Sequence, residues 1–253
     1  MNTILPPTTT VPTIIFDLNY ASSMTPSETK ALASQLTKSY ASNRRSTTPF
    51  KLVFSGAGFL DSPLRAQLAK QDFDRWSNVT VEDSSEPWRC RSEPIIYLTA
   101  DSDSVLSDVS PSSVFIIGGL VDHVEKPNFS LDRATRNDVS TARLPLLSAV
   151  KITTHNKEKN NTEHVDVSTL AVVQLLHSFY AFREWPLAIY NCPSFHSAPL
   201  RKFIHWKPPY DFLNDVENGG RPYRFGEGFN LTAGGFRPPT KEDIDNIKKK
   251  RIE

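Results

Sequence analysis

The sequence predicts an α/β fold built on a mainly parallel sheet. Short apolar runs alternate with stretches of helical periodicity along most of the chain, which is typical of a sheet covered by helices. Two of the runs, residues 95–101 and 114–122, are apolar almost without interruption. Strands that are buried on both faces of a parallel sheet have this composition, whereas strands with one wet face alternate between apolar and polar residues.

Composition divides the chain into three regions. Residues 1–12 are rich in Pro and Thr and are predicted to be a flexible lead-in. Residues 13–192 carry the alternating pattern of the domain, and residues 193–253 form an irregular extension rich in Pro, Gly and aromatic residues. No stretch approaches the roughly 18 apolar residues of a membrane span, so we expect no membrane partner.

The net charge argues against bulk electrostatic binding of nucleic acid, and the cysteine content argues against a disulfide framework or a structural zinc site. The formal net charge is +1, so a nucleic-acid partner requires a local basic patch rather than bulk attraction. Cys90 and Cys192 are too few for a disulfide framework or a structural zinc site. The simplest location is therefore a reducing compartment, cytoplasmic or nuclear, with a mitochondrial location left open.

The first elements have clear boundaries. Residues 13–20 are β-branched and aromatic, which predicts a strand. Thr-Pro-Ser-Glu at 25–28 is a capping box with Pro in the first turn, which predicts a helix start. The helix carries a large side chain at every fourth position from Leu32 to Tyr40 and is expected to end near 42–45.

The central elements follow in alternation. Residues 50–56 are a second predicted strand and residues 64–76 a second helix. Residues 77–93 are polar and aperiodic, which predicts a loop. The apolar runs at 95–101 and 114–122 are the third and fourth strands.

The last elements of the domain are less regular. Residues 129–138 are weakly helical, and residues 141–146 predict a fifth strand. Residues 151–166 are a charged loop. Residues 167–190 form the longest amphipathic segment, which predicts a helix that continues at least to Trp185.

We expect ligand-binding and catalytic residues beyond the carboxyl ends of the strands, which is where open α/β sheets bind ligands. The ends that carry suitable residues are 98–101, 118–122 and 143–145. The paired glycines Gly118 and Gly119 would let a ligand or another backbone come close.

An acid stands three residues past these glycines. Asp122 would point into the same cleft as a ligand. The alternative interpretation is that the glycines only permit tight packing and that Asp122 caps a following helix.

Several motifs predict no site. The pair of glycines at 56–58 lacks the third glycine of a dinucleotide fingerprint, because position 61 is Asp. The histidines show no metal spacing, so no metal is predicted, and His177 is expected to be a packed or surface residue. We interpret the basic cluster at 248–251 as a solvated tail in preference to an RNA contact.

The order of the segments resembles a known family. IIFDLNY, SQLTKSYASNRRS, IIYLTADSDSVL, VFIIGGLVDH, TARLPL and REWPLA follow one another over residues 13–190. This series resembles the tRNA guanine-9 N1-methyltransferases of the SPOUT class. The resemblance implies a SPOUT methyltransferase fold with a C-terminal trefoil knot, a monomer, and methylation of N1 of a purine, usually guanine, at position 9 of tRNA.

The resemblance also implies a cofactor and a role for one acid. The methyl donor is S-adenosyl-L-methionine, and Asp122 would accept the N1 proton of guanine. An unperturbed Asp has a low pKa, so Asp122 is expected to assist late in methyl transfer rather than to deprotonate guanine beforehand.

Binding residues follow from the same resemblance. The basic segment implied to contact tRNA includes Lys38, Arg44 and Arg45. The residues implied to line the cofactor pocket are Leu98, Thr99, Gly118, Gly119, His123, Val124, Lys126, Leu131, Leu144, Ser168 and Thr169.

Three cofactor loops depart from the family pattern. Residues 124–128 replace a basic stretch that ends Lys-Gly and include the acid Glu125. Asp138 stands where the family usually has Gly, and residues 167–172 replace a loop like L-T-V-N-Q-V. These departures keep a second hypothesis open, a tRNA-binding or scaffolding relative with little catalysis, as in a ribonuclease P-type complex. A protein partner would then use the C-terminal extension. A third hypothesis is a SPOUT enzyme with a shifted target, and the choice between guanine and adenine stays open.

Overall fold

A computed structural model describes most of the predicted domain. It covers residues 10–89, 91–121, 128–148, 150–152, 167–196 and 204–206. Of the predicted site residues, Asp122, His123, Val124 and Lys126 lie outside the described residues, as does the basic cluster at 248–251. No helix in these ranges is both long and apolar enough to cross a membrane.

The predicted parallel sheet is confirmed. Its strands lie in the order β3-β2-β1-β5-β4-β6, and every neighbouring pair is parallel. The strands are β1 (Thr13–Asp17), β2 (Lys51–Ser55), β3 (Val79–Glu82), β4 (Ile95–Leu98), β5 (Val114–Gly118) and β6 (Thr141–Ala142).

A separate antiparallel ribbon reaches into the C-terminal extension. β7 (Val150–Ile152) pairs with β8 (Ile204–Trp206). The extension therefore contributes one strand to a ribbon whose other strand follows β6 after the 3-10 turn Leu146–Ser148.

Helices cover the two faces of the main sheet unequally. Side chains of α1, α2 and α4 pack with those of one face, including Phe16, Phe54 and Phe115, in the larger core. The other face, with Ile15 and Ile116, packs against α3. The helices are α1 (Pro26–Arg45), α2 (Pro63–Ala69), α3 (Phe129–Arg136), α4 (Thr169–Phe182) and α5 (Trp185–Tyr190).

The predicted start and end of the first helix are confirmed. The Glu28 amide donates to Thr25 Oγ1 at 3.3 Å, and the Thr25 amide donates to Glu28 Oε2 at 2.7 Å, which completes the capping box. The helix ends at Arg45. Its 20 residues span about 30 Å, so α1 runs from the carboxyl edge of the sheet to its amino edge.

The loop predicted at 77–93 is wrong in part, because β3 lies within it. Thr80 is exposed and Glu82 half-exposed in this strand, which is the outer neighbour of β2. An edge strand with one solvent-exposed face needs no continuous apolar run, so its sequence is hard to distinguish from that of a loop.

The helix predicted at 64–76 is too long. α2 ends at Ala69, and Asp72 takes a left-handed backbone with φ 55°. A short 3-10 turn at Phe73–Arg75 then buries Phe73 in the larger core. The periodic Phe73 therefore reaches the core from a separate turn.

The long last helix is interrupted, contrary to the prediction that it reaches Trp185. α4 ends at Phe182, because Arg183 adopts φ 57° and its amide donates to the Phe179 carbonyl at 2.7 Å. Pro186 has no amide hydrogen for a carbonyl four residues earlier, which favours a break here. α5 begins at Trp185.

Candidate cofactor and RNA site

Three predicted strand ends become neighbours at the carboxyl edge, the edge of the sheet at which all six strands end. The strand order places β4 between β5 and β6. Leu98 at the end of β4 pairs with Ile117 of β5 and with Ala142 of β6, and Leu144 follows two residues later. The structure therefore brings the described residues of these three ends, 98–101, 118–121 and 143–145, to the same edge of the sheet.

The loop after β4 is held by backbone and arginine contacts. The Thr99 amide donates to the Ala142 carbonyl at 3.1 Å, and Arg143 Nη1 donates to the carbonyls of Ser102 and Asp103 at 2.6 and 3.1 Å. The hydroxyl of Thr99 accepts a long 3.4 Å bond from the Asp101 amide. The sequence analysis identifies Arg143 only as part of a strand end. Its role in shaping this loop depends on carbonyl groups that lie 40 and 41 residues away in sequence.

Both glycines of β5 and its loop are packed against protein atoms. A Cβ at Gly118 would lie 2.9 Å from Ser130 Oγ, and a Cβ at Gly119 would lie 2.7 Å from Leu18 Cδ2 and 2.9 Å from the Asp17 carbonyl oxygen. The tight-packing interpretation therefore accounts for both glycines. Contact of their backbone with a cofactor stays a prediction.

The junction between β1 and β5 is closed. In a doubly wound sheet the strand order reverses at this point and ligands often enter there. Here the Gly119 amide donates to the Asp17 carbonyl at 2.8 Å, and Leu18 lies against Gly119. The loops of β4, β5 and β6 remain as the candidate cofactor site.

The flanks of the segment that contains Asp122 are fixed. The chain before the segment is tied to β1 by the amide of Gly119. The chain after it is tied to the β4 loop, because the Asn128 amide donates to Asp101 Oδ2 at 2.9 Å. Asp101 lay in a predicted strand end, and this contact gives it a defined role.

Two departures from the family pattern keep the backbone that glycine favours. Asn128 has φ 61° and Asp138 has φ 54°, and Asn and Asp tolerate this left-handed region better than other residues with a side chain. The amides of Asp138 and Val139 donate to the carbonyls of Thr135 and Ala134 at 3.2 and 3.0 Å, which is the Schellman arrangement at a helix end. Asp138 therefore ends α3 with the backbone geometry that a glycine would adopt there.

Ser168 and Thr169 are placed at the start of α4. Ser168 Oγ accepts from the Ala171 amide at 3.3 Å and caps the helix. Thr169 is buried, and its amide donates to Gln35 Oε1 at 2.9 Å. Leu144 packs against the larger core, and Leu131 is half-exposed on α3. Ser168 and Thr169 therefore have a structural role at the start of α4. Their contact with a cofactor stays a prediction.

A buried ion pair that the sequence analysis missed lies beside the candidate site. Asp17 is 0% exposed, and its Oδ2 accepts from Arg133 Nε at 2.6 Å and from the Tyr97 hydroxyl at 3.0 Å. Burial, reinforced by the charge of Asp17, raises the pKa of Tyr97 well above its usual value, so the hydroxyl stays a donor. The Tyr20 and Tyr97 oxygens are 2.7 Å apart. The available sequence signal was an acid at the end of an apolar strand.

The predicted RNA-binding residues lie on another part of the molecule. Lys38, Arg44 and Arg45 are exposed on α1, and the end of α1 leads directly into β2 at the amino edge. Asn43 marks this junction, because its side chain bonds to both the amide and the carbonyl of Phe50. The structure does not bring these residues to the carboxyl edge, so an RNA that touches both sites must span most of the length of α1.

Comparisons with known proteins agree with this arrangement. The model of the family described as tRNA (guanine(9)-N(1))-methyltransferase TRM10/TRM10A matches residues 7–194. The tRNA methyltransferase 10 homolog B of Rattus norvegicus is 31% identical over 182 residues, which are 70% of this chain and 55% of that protein. Homolog B of Bos taurus is 29% identical over 210 residues, which are 81% of this chain and 61% of that protein. The chain thus spans little more than half the length of these curated relatives.

Solved structures show the same fold. The crystal structure of full-length spTrm10 in complex with SAH has a TM-score of 0.61 at 21% identity, over 76% of this chain and 96% of that chain. The dual-specific Trm10 from Thermococcus kodakaraensis has a TM-score of 0.51 at 19% identity, over 72% of this chain and 99% of that chain. Since the family model covers well over half of the residues, this chain belongs to the tRNA (guanine(9)-N(1))-methyltransferase TRM10/TRM10A family.

Proposed function

We propose that this protein is an S-adenosylmethionine-dependent methyltransferase that methylates N1 of the purine at position 9 of tRNA, with guanine as the expected base. The observation that carries the proposal is the family match over residues 7–194, which includes all three strand ends gathered at the carboxyl edge. Residues 13–192 would form the catalytic domain, acting as a monomer.

The proposal includes a SPOUT fold with a C-terminal trefoil knot. The likeness in fold to spTrm10 supports it, as does the position of β4 between β5 and β6. In such a fold the loops after these strands would form the cofactor pocket, where this chain carries Thr99, Gly119 and Leu144.

The residues at the carboxyl edge fit this cofactor by their chemistry. Cofactor sites combine apolar walls with a few polar groups that fix orientation. Leu144 supplies partly buried apolar surface, and Thr99 supplies a hydroxyl in a loop that Arg143 holds in place. When bound, S-adenosylmethionine would supply an electrophilic methyl group.

The protein's own contribution would be orientation and one proton transfer. N1 of guanine carries a proton that must leave when the methyl group arrives. The carboxylate of Asp122 would accept it as the new bond forms. Holding the acceptor nitrogen in line with the methyl group would supply much of the remaining acceleration.

Replacing Asp122 tests this proposal. We expect Asp122→Asn to lower the methylation rate about 100-fold or more, which is the usual contribution of a general base. The measurement is methyl transfer from labelled S-adenosylmethionine to bulk tRNA, followed by nucleoside mass spectrometry. Asp103→Asn is the matched control, because Asp103 is exposed at the same edge and should leave the rate unchanged. No methyl incorporation by the unmodified protein into any tRNA pool would refute the proposal.

A scaffolding relative without catalysis is the second candidate. It is favoured by Ser168 and Thr169, which the structure shows engaged in starting α4, and by the acid Glu125 in a loop that is basic in the family. Calorimetry with S-adenosylmethionine separates the candidates. Micromolar binding supports the enzyme, whereas undetectable binding with intact tRNA affinity supports the scaffold.

A further inference from the structure

Tyr40 joins the end of α1 to the chain that leads into β3. Its ring stacks on Trp76 with ring centres 4.2 Å apart and an interplanar angle of 2°. Its hydroxyl accepts from the Ser77 amide at 3.1 Å. Burial raises the pKa of Tyr40, but hydrogen bonds from Ser77 and Arg44, with the charge of Arg44, lower it overall. Arg44, one turn further along α1, and Ser77 therefore meet at the hydroxyl of Tyr40.

Arg75 directly precedes Trp76 and carries an exposed charge. Its side chain is 84% exposed. Its guanidinium lies 3.9 Å from a carboxylate oxygen of Asp72, which is near the limit of an ion pair, and exposed pairs of this kind contribute little. The other acid of the turn, Asp74, is paired with Arg65 of α2. The charge of Arg75 is therefore only weakly compensated by the acids beside it.

The two flanks of α1 differ in charge. On the flank toward α4, Gln35 accepts from an amide at the start of that helix, and Asn43 lies against the ring of His177. Burial lowers the pKa of His177 to about 4, so this ring is uncharged at pH 7. On the flank toward α2 the charged groups Arg44 and Arg75 follow one another. A polyanion on the exposed face of α1 is therefore attracted toward Arg75.

Both arginines lie near the amino edge of the sheet. Arg44 stands just before β2 and Arg75 just before β3, and these strands run parallel, so they begin at the same edge. We propose that the tRNA-binding surface of α1 extends across Tyr40 to Arg75, which binds a further phosphate of the RNA. Tyr40 is a positioning residue, since its hydroxyl holds Arg44 on the flank that faces Arg75. This inference rests on the proposed function, because it takes tRNA to be the partner.

Arg75→Ala tests the further contact. We expect it to weaken tRNA binding about two- to five-fold at low salt and to reduce the slope of log affinity against log salt by about one, since a phosphate contact is lost. The KM for tRNA should rise while kcat stays unchanged. Filter binding at several salt concentrations measures the affinity and its slope.

Arg89→Ala is the matched control for Arg75→Ala. Arg89 is also exposed, at 69%, and also pairs with an acid three residues earlier, Glu86. It lies in the loop between β3 and β4, outside the proposed surface. This variant should leave the affinity and the salt slope unchanged. An unchanged affinity in Arg75→Ala, or equal losses in the two variants, would overturn the proposal.

Tyr40→Phe tests the positioning role, because it keeps the ring on Trp76 and removes only the hydroxyl. Ser77 is exposed, so water can replace the hydroxyl as the acceptor of its amide. The variant should weaken tRNA binding about two- to three-fold. In protein that already carries Arg44→Ala it should have no further effect, since a residue that acts through another is not additive with it. The same loss in both backgrounds would contradict the positioning role.

Tyr180→Phe is the matched control for Tyr40→Phe. Tyr180 also has an arginine beside its ring, because the guanidinium carbon of Arg183 lies 4.4 Å from the ring centre. This pair belongs to α4 and the residue that follows it, and Arg183 pairs with Asp108. Removing the Tyr180 hydroxyl should leave tRNA affinity unchanged. A loss equal to that of Tyr40→Phe would place the RNA on both flanks of α1 and overturn the proposal.

Methyl transfer separates this inference from the proposed function. If the protein binds tRNA but transfers no methyl group to it, the proposed activity fails and the binding assays still decide the inference. If the protein methylates tRNA while Arg75→Ala and Tyr40→Phe bind as tightly as the unmodified protein, only the inference fails. If the unmodified protein binds no tRNA even at low salt, the inference is overturned with it.

Discussion

At the scale of single residues, His177 shows how burial makes a side chain sensitive to pH. Its ring stacks on Phe50 with ring centres 4.0 Å apart, and its Nε2 lies 2.7 Å from Asn43 Oδ1. Because Asn43 Oδ1 is an acceptor, Nε2 donates. The sequence analysis left a packed or a surface position open for His177, and these contacts show the packed one. Burial lowers its pKa from 6.5 to about 4.

The pH dependence of stability follows from that shift. The folded state binds this proton less readily than the unfolded chain, so the stabilisation is complete above pH 6.5 and is lost as the pH falls toward 4. We expect the free energy of unfolding to drop by about 3 kcal/mol from this group. Urea denaturation between pH 7 and 4 measures it. His177→Gln, which keeps a donor, should flatten that part of the profile, and an unchanged slope would contradict the assignment.

Asp138 gives a second prediction for a single residue. Its φ of 54° is adopted easily by Gly, tolerated by Asp and unfavourable for Ala. Asp138→Gly should raise the free energy of unfolding by about 0.5–1 kcal/mol, and Asp138→Ala should lower it by about 1 kcal/mol. Denaturant unfolding of the two variants checks the opposite signs. An Ala variant as stable as the Gly variant would show that the backbone conformation is not what matters there.

At the scale of elements, α1 is predicted to present the RNA contacts away from the cofactor edge. Lys38 and Arg45 are seven residues apart, which is about two turns, so they share one face of the helix. Replacing both with Ala should weaken tRNA binding several-fold and reduce the slope of log affinity against log salt by one to two. Filter binding at several salt concentrations measures both. Lys70→Ala, an exposed lysine after α2, is the control, and equal losses in both variants would contradict a specific face.

The same scale explains which elements could be predicted from sequence. The capping box at 25–28 and the apolar runs of β4 and β5 are local signals, so their positions were correct within a few residues. β3 and the break between α4 and α5 were missed, since neither depends on local apolarity. β3 is an edge strand defined by its pairing with β2. The break is stabilised by Arg183, whose Nη1 donates to the Val109 carbonyl 74 residues away.

At the scale of the whole molecule, the sequence by itself determined the α/β class, the parallel sheet and the types of residue at three strand ends. Those properties follow from local composition, because a strand that is buried on both faces of a sheet is apolar along most of its length. Only the tertiary structure decided that β4 lies between β5 and β6, and that Asp17 meets Arg133 across 116 positions. Strand order and ion pairing depend on contacts between distant segments, and no local pattern of residues encodes which distant partner a buried charge will find.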